Sequence, residues 1–433
     1  MHTRSSHTPS SGGSAGGLGR VLAGLLLLAF GASALPTTAG AQSGFPGAPS
    51  EPGLNLRVYP LDTWTPRAGL GIGAGVVAHH LGRRHAQGLL SMAPARHEQV
   101  ATAAWASANP ARAQQYVLAD ARALHTNRDW FYGLGPSAAD DARQSIERSA
   151  LTVRVRAGRR FLGRRLAVEP RVALALHRVD RVPRPEASAL DARSQAHLQQ
   201  LARTQVGPLR PTHTGLRIGM ALRFDTRAAP SSTTERGGRL TTRWMRSFGL
   251  GASLVRYDRL SVAATGTLPL RGTHRLDGRL ALDRTVARGR AAVPYYLRPT
   301  LGGGDVPGWA RLRFVDSDRL VGSLLYRFPI AQLMGLVQVE GHAGVHAASV
   351  YDDVGSDATV ALSFDESVGP ADGSVPLRPA ASVGLHVGLS SRQSPSLDLA
   401  LGASPEGVTA VRVRLTRALQ AFRPPHHRLR SWW

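Results

Sequence analysis

Three sets of residues in this chain have types and spacings that could do chemistry. Gly12-Gly13-Ser14-Ala15-Gly16 fits the G-x-S-x-G pattern, in which a sharp strand-to-helix turn presents a nucleophilic serine. Here neither a strand pattern before it nor a helix pattern after it supplies that turn, and it lies in a segment that reads as an export signal. His79-His80 with His85, and His426-His427, carry imidazoles that could ligate a metal. Adjacent residues on a strand point to opposite faces, however, and no carboxylate is spaced to complete either set. Asp140-Asp141 and Tyr351-Asp352-Asp353 are acidic loop tips, better read as solvated than as divalent-cation ligands. With no cysteine, thiol chemistry, disulfides and thiolate metal sites are excluded. No acid–base pair or phosphate-cradling glycine loop stands out. The sequence therefore predicts no enzymatic activity, no metal and no cofactor.

The start of the chain reads as a targeting signal. Arg20 precedes an apolar run from Val21 to Leu35, and Ala39-Gly40-Ala41 offers small residues at both positions of an A-x-A cleavage site. This is the layout of a secretory signal peptide spanning residues 1–41, with a mature chain beginning near Gln42. A Gly/Pro/Ser-rich leader follows at residues 42–53. Beyond it no run of about eighteen apolar residues could cross a membrane as a helix.

A formal charge of +24 raises the question of nucleic acid. The whole basic excess is arginine, with no lysine, and it is spread through strand-like runs rather than gathered in one tail or helix. The expectation is no nucleic-acid partner, with arginines facing a lumen or lipid phosphates instead.

The dominant period is two. Leu166, Val168, Pro170, Val172, Leu174 and Leu176 fall on one face, while Ala167, Glu169, Arg171, Ala173, Ala175 and His177 fall on the other. Leu216, Ile218, Met220, Leu222 and Phe224 oppose Arg217, Gly219, Ala221, Arg223 and Asp225 in the same way. Side chains alternate across a strand, so these are two-faced strands. A soluble sandwich also alternates, but here the apolar face is nearly unbroken over about ten residues, the length of a tilted strand crossing hydrocarbon. Backbone groups in lipid must all be paired, so such a sheet must close on itself. The expected fold is all-β, a transmembrane antiparallel β-barrel of about sixteen strands occupying residues 54–433. Long polar segments at 180–214, 286–318 and 348–379 read as extracellular loops.

Four segments, in order, resemble the BamA/TamA superfamily of outer-membrane barrels, also called bacterial surface antigens. Phe131-Tyr132-Gly133-Leu134-Gly135 with Asp140-Asp141 is similar to its "FxGxG…DD" loop. Phe224-Asp225-Thr226-Arg227, then Pro230 and Arg236-Gly237, is similar to its "yDtRd…P…G" strand and turn, with Asp225 and Arg227 as the motif residues. Leu301-Gly302-Gly303, Val306-Pro307-Gly308-Trp309 and Arg313-Phe314, followed by Leu325-Tyr326-Arg327-Phe328-Pro329, resembles the family's long inward-folded loop and the strand after it. Ala380–Leu389 and Leu397–Ala400 resemble the closing strands.

The resemblance implies a barrel that helps insert or export outer-membrane material, with a long loop at about 286–318 folded into the lumen. It also implies a loop arginine reaching an acidic residue on a lumen strand. This chain departs there: the arginine position is Pro307, and the acidic position aligns with His342. Pro307 carries neither charge nor donor, so the usual lock is absent, with Asp305 and Arg311 as weak substitutes. The short stretch before the first strand leaves no room for the periplasmic POTRA domains of the family's assembly proteins. The expected partners are outer-membrane lipid and lipopolysaccharide, with a periplasmic protein or a barrel client. The alternative is a passive barrel or pore, anion-preferring through its arginines. The chain ends in Ser431-Trp432-Trp433, with Phe422 as another candidate for the closing aromatic.

Overall fold

In the computed structural model the described residues run from 55 to 415, except 66–68, 82–85, 109–112, 139–141, 182–189, 204–212, 228–235, 252, 304–305, 311, 334–336, 364–374 and 390–395. The signal-peptide and leader assignments, Asp140-Asp141, Pro230, Asp305, Arg311, Phe422 and the terminal tryptophans all lie outside them.

Among the described residues nineteen strands follow in order. They are β1 (Asn55–Thr65), β2 (Gly69–Leu81), β3 (Ala86–Pro94), β4 (Glu98–Ala106), β5 (Gln115–Phe131), β6 (Gln144–Phe161), β7 (Leu166–Arg181), β8 (His213–Asp225), β9 (Gly237–Gly249) and β10 (Tyr257–Pro269). They continue with β11 (Arg275–Ala287), β12 (Thr300–Leu301), β13 (Phe314–Val315), β14 (Asp318–Leu333), β15 (Val337–Tyr351), β16 (Ala358–Leu362), β17 (Val375–Leu389), β18 (Ser396–Ser404) and β19 (Gly407–Leu415). A helix, α1 (Ala192–Arg203), lies between β7 and β8.

Sixteen of these strands form one antiparallel sheet in which each pairs with its neighbour in sequence. β12 and β13 pair with each other inside the connection from β11 to β14, and β16 adds in parallel to β17. The first and last strands meet at the pair Trp64↔Val413. Among the described residues that seam has one registered pair, whereas β2–β3 and β18–β19, the next shortest ladders between the sixteen barrel strands, have seven each.

The alternation sorts the faces as the sequence predicts. Val172, Leu174, Ile218, Met220, Leu222 and Phe224 are exposed on the outer face. Arg171, Ala173, Ala175, Arg217 and Ala221 are buried on the inner one. An apolar outer band with polar inner positions defines a membrane barrel, and no helix among the described residues is long and apolar enough to span a membrane.

Because the strands run up and down in turn, the connections 132–143, 182–212, 288–317 and 352–374 all emerge at one end. The connections at the other end are shorter, the arrangement of extracellular loops and periplasmic turns in such barrels. At the long-loop end Phe131, Leu134, Ile146, Leu190, Leu198 and Tyr295 are buried in one cluster drawn from three of these connections and the strands below them.

Candidate functional site: the loop inside the barrel

The connection 288–317 carries most of the residues singled out above. Val306, Trp309 and Phe314 are buried with Leu301, and they pack on Ala263, Ala281, Val321, Ala348, Val350 and Ala380. Those wall residues stand on the face opposite the exposed Leu280, Leu324, Val345 and Val383, so the loop occupies the interior. Trp309 meets Phe314 edge to face at 5.6 Å, a geometry that aromatic quadrupoles favour.

The glycines are demanded by backbone geometry. Gly302 has φ +110°, and a Cβ there would fall 2.0 Å from the Ala310 carbonyl oxygen. Gly303 donates its N–H to the Trp309 carbonyl at 2.8 Å, closing the tip. Gly308, at φ +109°, lies against the backbone of Ala403, and a Cβ at Gly402 would meet Gly308 N at 2.2 Å. The Ser404 hydroxyl donates to the Gly308 carbonyl at 2.8 Å. The tip is thus seated on β18, backbone against backbone, and Pro307 packs at the same contact against Gly402.

The charged clamp is Arg313. It is buried, and its Nε and Nη2 reach Glu406 in the turn between β18 and β19 at 2.9 and 2.6 Å. Its Nη1 donates to the Ala138 carbonyl at 2.6 Å, and its guanidinium lies over the rings of Phe314 at 4.5 Å and Tyr132 at 5.2 Å. Bidentate pairing with stacking is what a planar guanidinium offers and an ammonium does not. Leu312 immediately before it holds φ +65°, strain that the surrounding contacts must over-determine. The Phe131–Gly135 segment joins the same assembly, since Gly135 donates its N–H to the Val315 carbonyl at 2.9 Å.

Further contacts anchor the base of the loop. Tyr295 donates its N–H to His197 Nε2 on α1 at 3.0 Å and its hydroxyl to Asp129 at 3.0 Å. His197 must be neutral to accept, and burial beside Arg298 and Arg193 pushes it down to about 3. Asp316 accepts from Arg193 at 2.9 Å and from Arg298 at 3.2 Å. Burial nevertheless pushes its carboxyl above the usual range, against those two guanidinium groups. Arg319 on β14 donates to Asp283 at 2.9 Å and to the Thr300 carbonyl at 2.6 Å.

The remaining motif residues are placed elsewhere. His342 lies on β15 opposite Arg327 and Gly384, on the inward-facing parity. The apolar residues of the loop meet that strand at Ala348 and Val350, a rise of about 20 Å further along. Asp225 and Arg227 are both buried at the short-turn end. Asp225 accepts from Arg227 Nε and Nη2 at 2.8 and 2.6 Å and from Arg239 Nε at 2.9 Å. That pair pins the β8–β9 turn, where Gly237, at φ +132°, leaves room for the Arg227 backbone.

Two participants carried no sequence signal. Glu406 is one acidic residue in a turn, and only the strand register brings it under Arg313. Helix α1 sits inside a segment read as polar loop, although Leu198 and Leu201 give it a buried face.

A sixteen-stranded barrel with a long loop folded inside it, between the eleventh and twelfth barrel strands, defines a BamA-like β-barrel. Among solved structures, the chain is similar to "BamA from Haemophilus ducreyi lacking POTRA domains 1-3", with TM-score 0.56 and 11% identity over 84% of this chain and 68% of that one. A "bacterial polysaccharide outer membrane secretin" matches with TM-score 0.40 and 9% identity, over 80% of this chain and 89% of that one. No family model and no curated protein matches the sequence.

Proposed function

We propose that this protein resides in the outer membrane and assists insertion or export of outer-membrane material. The observation that carries the reading is the seating of the inner loop on the β18–β19 hairpin, beside a seam with one registered pair. Unpaired backbone groups are costly in lipid, so the seam is where neighbouring strands part most easily. A parted edge is a template for another strand. Arg313, Gly308 and Ser404 hold one side of that seam in place from within. On this reading the partners are outer-membrane lipid and lipopolysaccharide, a barrel client, and a periplasmic protein that presents it, with no role for nucleic acid.

The test is insertion of an unfolded test barrel into liposomes, with and without this protein. Faster insertion, slowed when Arg313 is replaced, is the expected result. No acceleration, together with steady anion-selective conductance, would overturn the reading and leave a passive pore.

A further inference from the structure

The wall of the lumen built by β5 to β9 is strongly positive in a way its own carboxylates do not balance. Arg154, Arg156, Arg171, Arg223 and Arg243 face inward there, and the carboxylates near them are Asp120, Glu169 and, within reach of Arg223, Asp225, which Arg227 and Arg239 hold. Arg154 takes Asp120 in a two-bond fork, at 3.0 and 2.8 Å. Glu169 accepts from Arg171 and from the Tyr116 hydroxyl. Arg156 reaches these carboxylates only at 3.8 and 3.7 Å. The next carboxylate within electrostatic reach of Arg243 is Asp283, which Arg319 already holds.

The Nε of Arg156, and the Nε and Nη2 of Arg243, are shut off from solvent without an acceptor. Nε and Nη2 form the side edge of a guanidinium, the edge that matches two oxygens of a carboxylate or phosphate. The cross-strand rows set this geometry: Glu169 pairs with Ala221, which pairs with Arg243. The small side chain of Ala221 thus separates the carboxylate from the orphaned fork. An unsatisfied fork among clustered guanidinium groups is what a site for a multiply charged oxyanion presents before its ligand arrives.

We propose that this wall is a binding site for a phosphate-class oxyanion, held by the Nε/Nη2 edge of Arg243 with Arg156, Arg171 and Arg223 around it. Tyr116 is the second residue of β5, so this end of the cluster lies toward the short-turn end of the barrel. The proposal does not rest on assembly activity, since a bound anion serves a closed barrel as well as a working one.

The experiment measures the temperature at which the folded, fast-migrating gel band converts to the unfolded one. Wild type, Arg243→Met and Arg243→Lys are compared in inorganic phosphate and in chloride of equal ionic strength. A ligand that binds only the folded state raises this temperature with its concentration. Wild type is expected to shift upward in phosphate and not in chloride. Arg243→Met, which removes an unpaired charge, is expected to fold at least as well and to lose the shift. Arg243→Lys, which keeps charge but not the fork, should lose at least tenfold in phosphate affinity. A second arm replaces free phosphate with bicelles containing phosphatidic acid. A shift in the first arm identifies a soluble phosphate, and a shift confined to the second identifies a lipid headgroup. No shift in either arm, or equal shifts in wild type and Arg243→Met, overturns the proposal.

Discussion

Replacing Arg313 with alanine should release the inner loop while leaving the barrel standing. The change strips Glu406 of its paired guanidinium, opens the bond to Ala138 and removes the cation over Phe314 and Tyr132. Breaking a buried pair costs about 3–5 kcal/mol. Glu406 keeps 13% of its side chain exposed, so water recovers part of that, and about 3 kcal/mol is the working figure. At about 1.4 kcal/mol per tenfold, the open state of the loop should become roughly 100 times more populated. Hydrogen exchange followed by mass spectrometry on peptides covering 288–317 reads this directly. The bonded N–H of Gly303 is the reporter there, and that of Gly135 reports in a peptide covering 132–138. Glu406→Gln should give a similar loss, and the double variant should lose less than the sum, because the two residues share one interaction. Protection within threefold of wild type in Arg313→Ala would refute the clamp, and fully additive effects would refute the pairing.

Four other outcomes are expected. Gly308→Ala should unseat the loop tip by about 1–3 kcal/mol, because φ +109° and the Ala403 carbonyl 2.6 Å from the added Cβ both oppose it; protease cleavage within 288–317 reads it. His197 lies at about 3 when folded, below its ordinary 6.5, so its bond from Tyr295 contributes fully above about pH 6.5 and weakens as pH falls toward 3. At pH 5 the loss is about 2 kcal/mol, seen as faster exchange in α1 and absent in His197→Gln. Asp225→Asn should leave Arg227 and Arg239 without their buried carboxylate and lower the barrel's unfolding temperature, by about 3 kcal/mol of stability. Cysteines at positions 64 and 413, paired across the seam, should cross-link on oxidation and abolish any acceleration of client insertion until reduced.

The alternation in the sequence was sufficient to find the sixteen barrel strands, since a strand between lipid and lumen has two chemically distinct faces. Strand ends were harder to read. β5 continues to Phe131, although a register shift between Thr126 and Asp129 breaks the period while pairing persists. Likewise β6 begins at Gln144, ahead of the regular alternation, through Glu147, Arg148 and Ser149, which look like loop. Within the site, the glycines and the Trp309–Phe314 pair were legible as a motif. The clamp was not: Arg313 stood in the motif without a role, and Glu406, 93 residues away, is identified by register alone.

The order of the ladders also bears on how the protein folds. Each barrel strand pairs with its sequence neighbour except at the seam, where Trp64 and Val413 are separated by 349 positions. Closing a flexible chain of that length costs about 5 kcal/mol in entropy, against about 2 kcal/mol for a hairpin of a dozen residues. Hairpins should therefore zip early and the ring should shut last. Refolding into bilayers should show strand signal in circular dichroism well before resistance to unfolding on the gel. Deleting the β18–β19 hairpin should leave the first phase intact and remove the second.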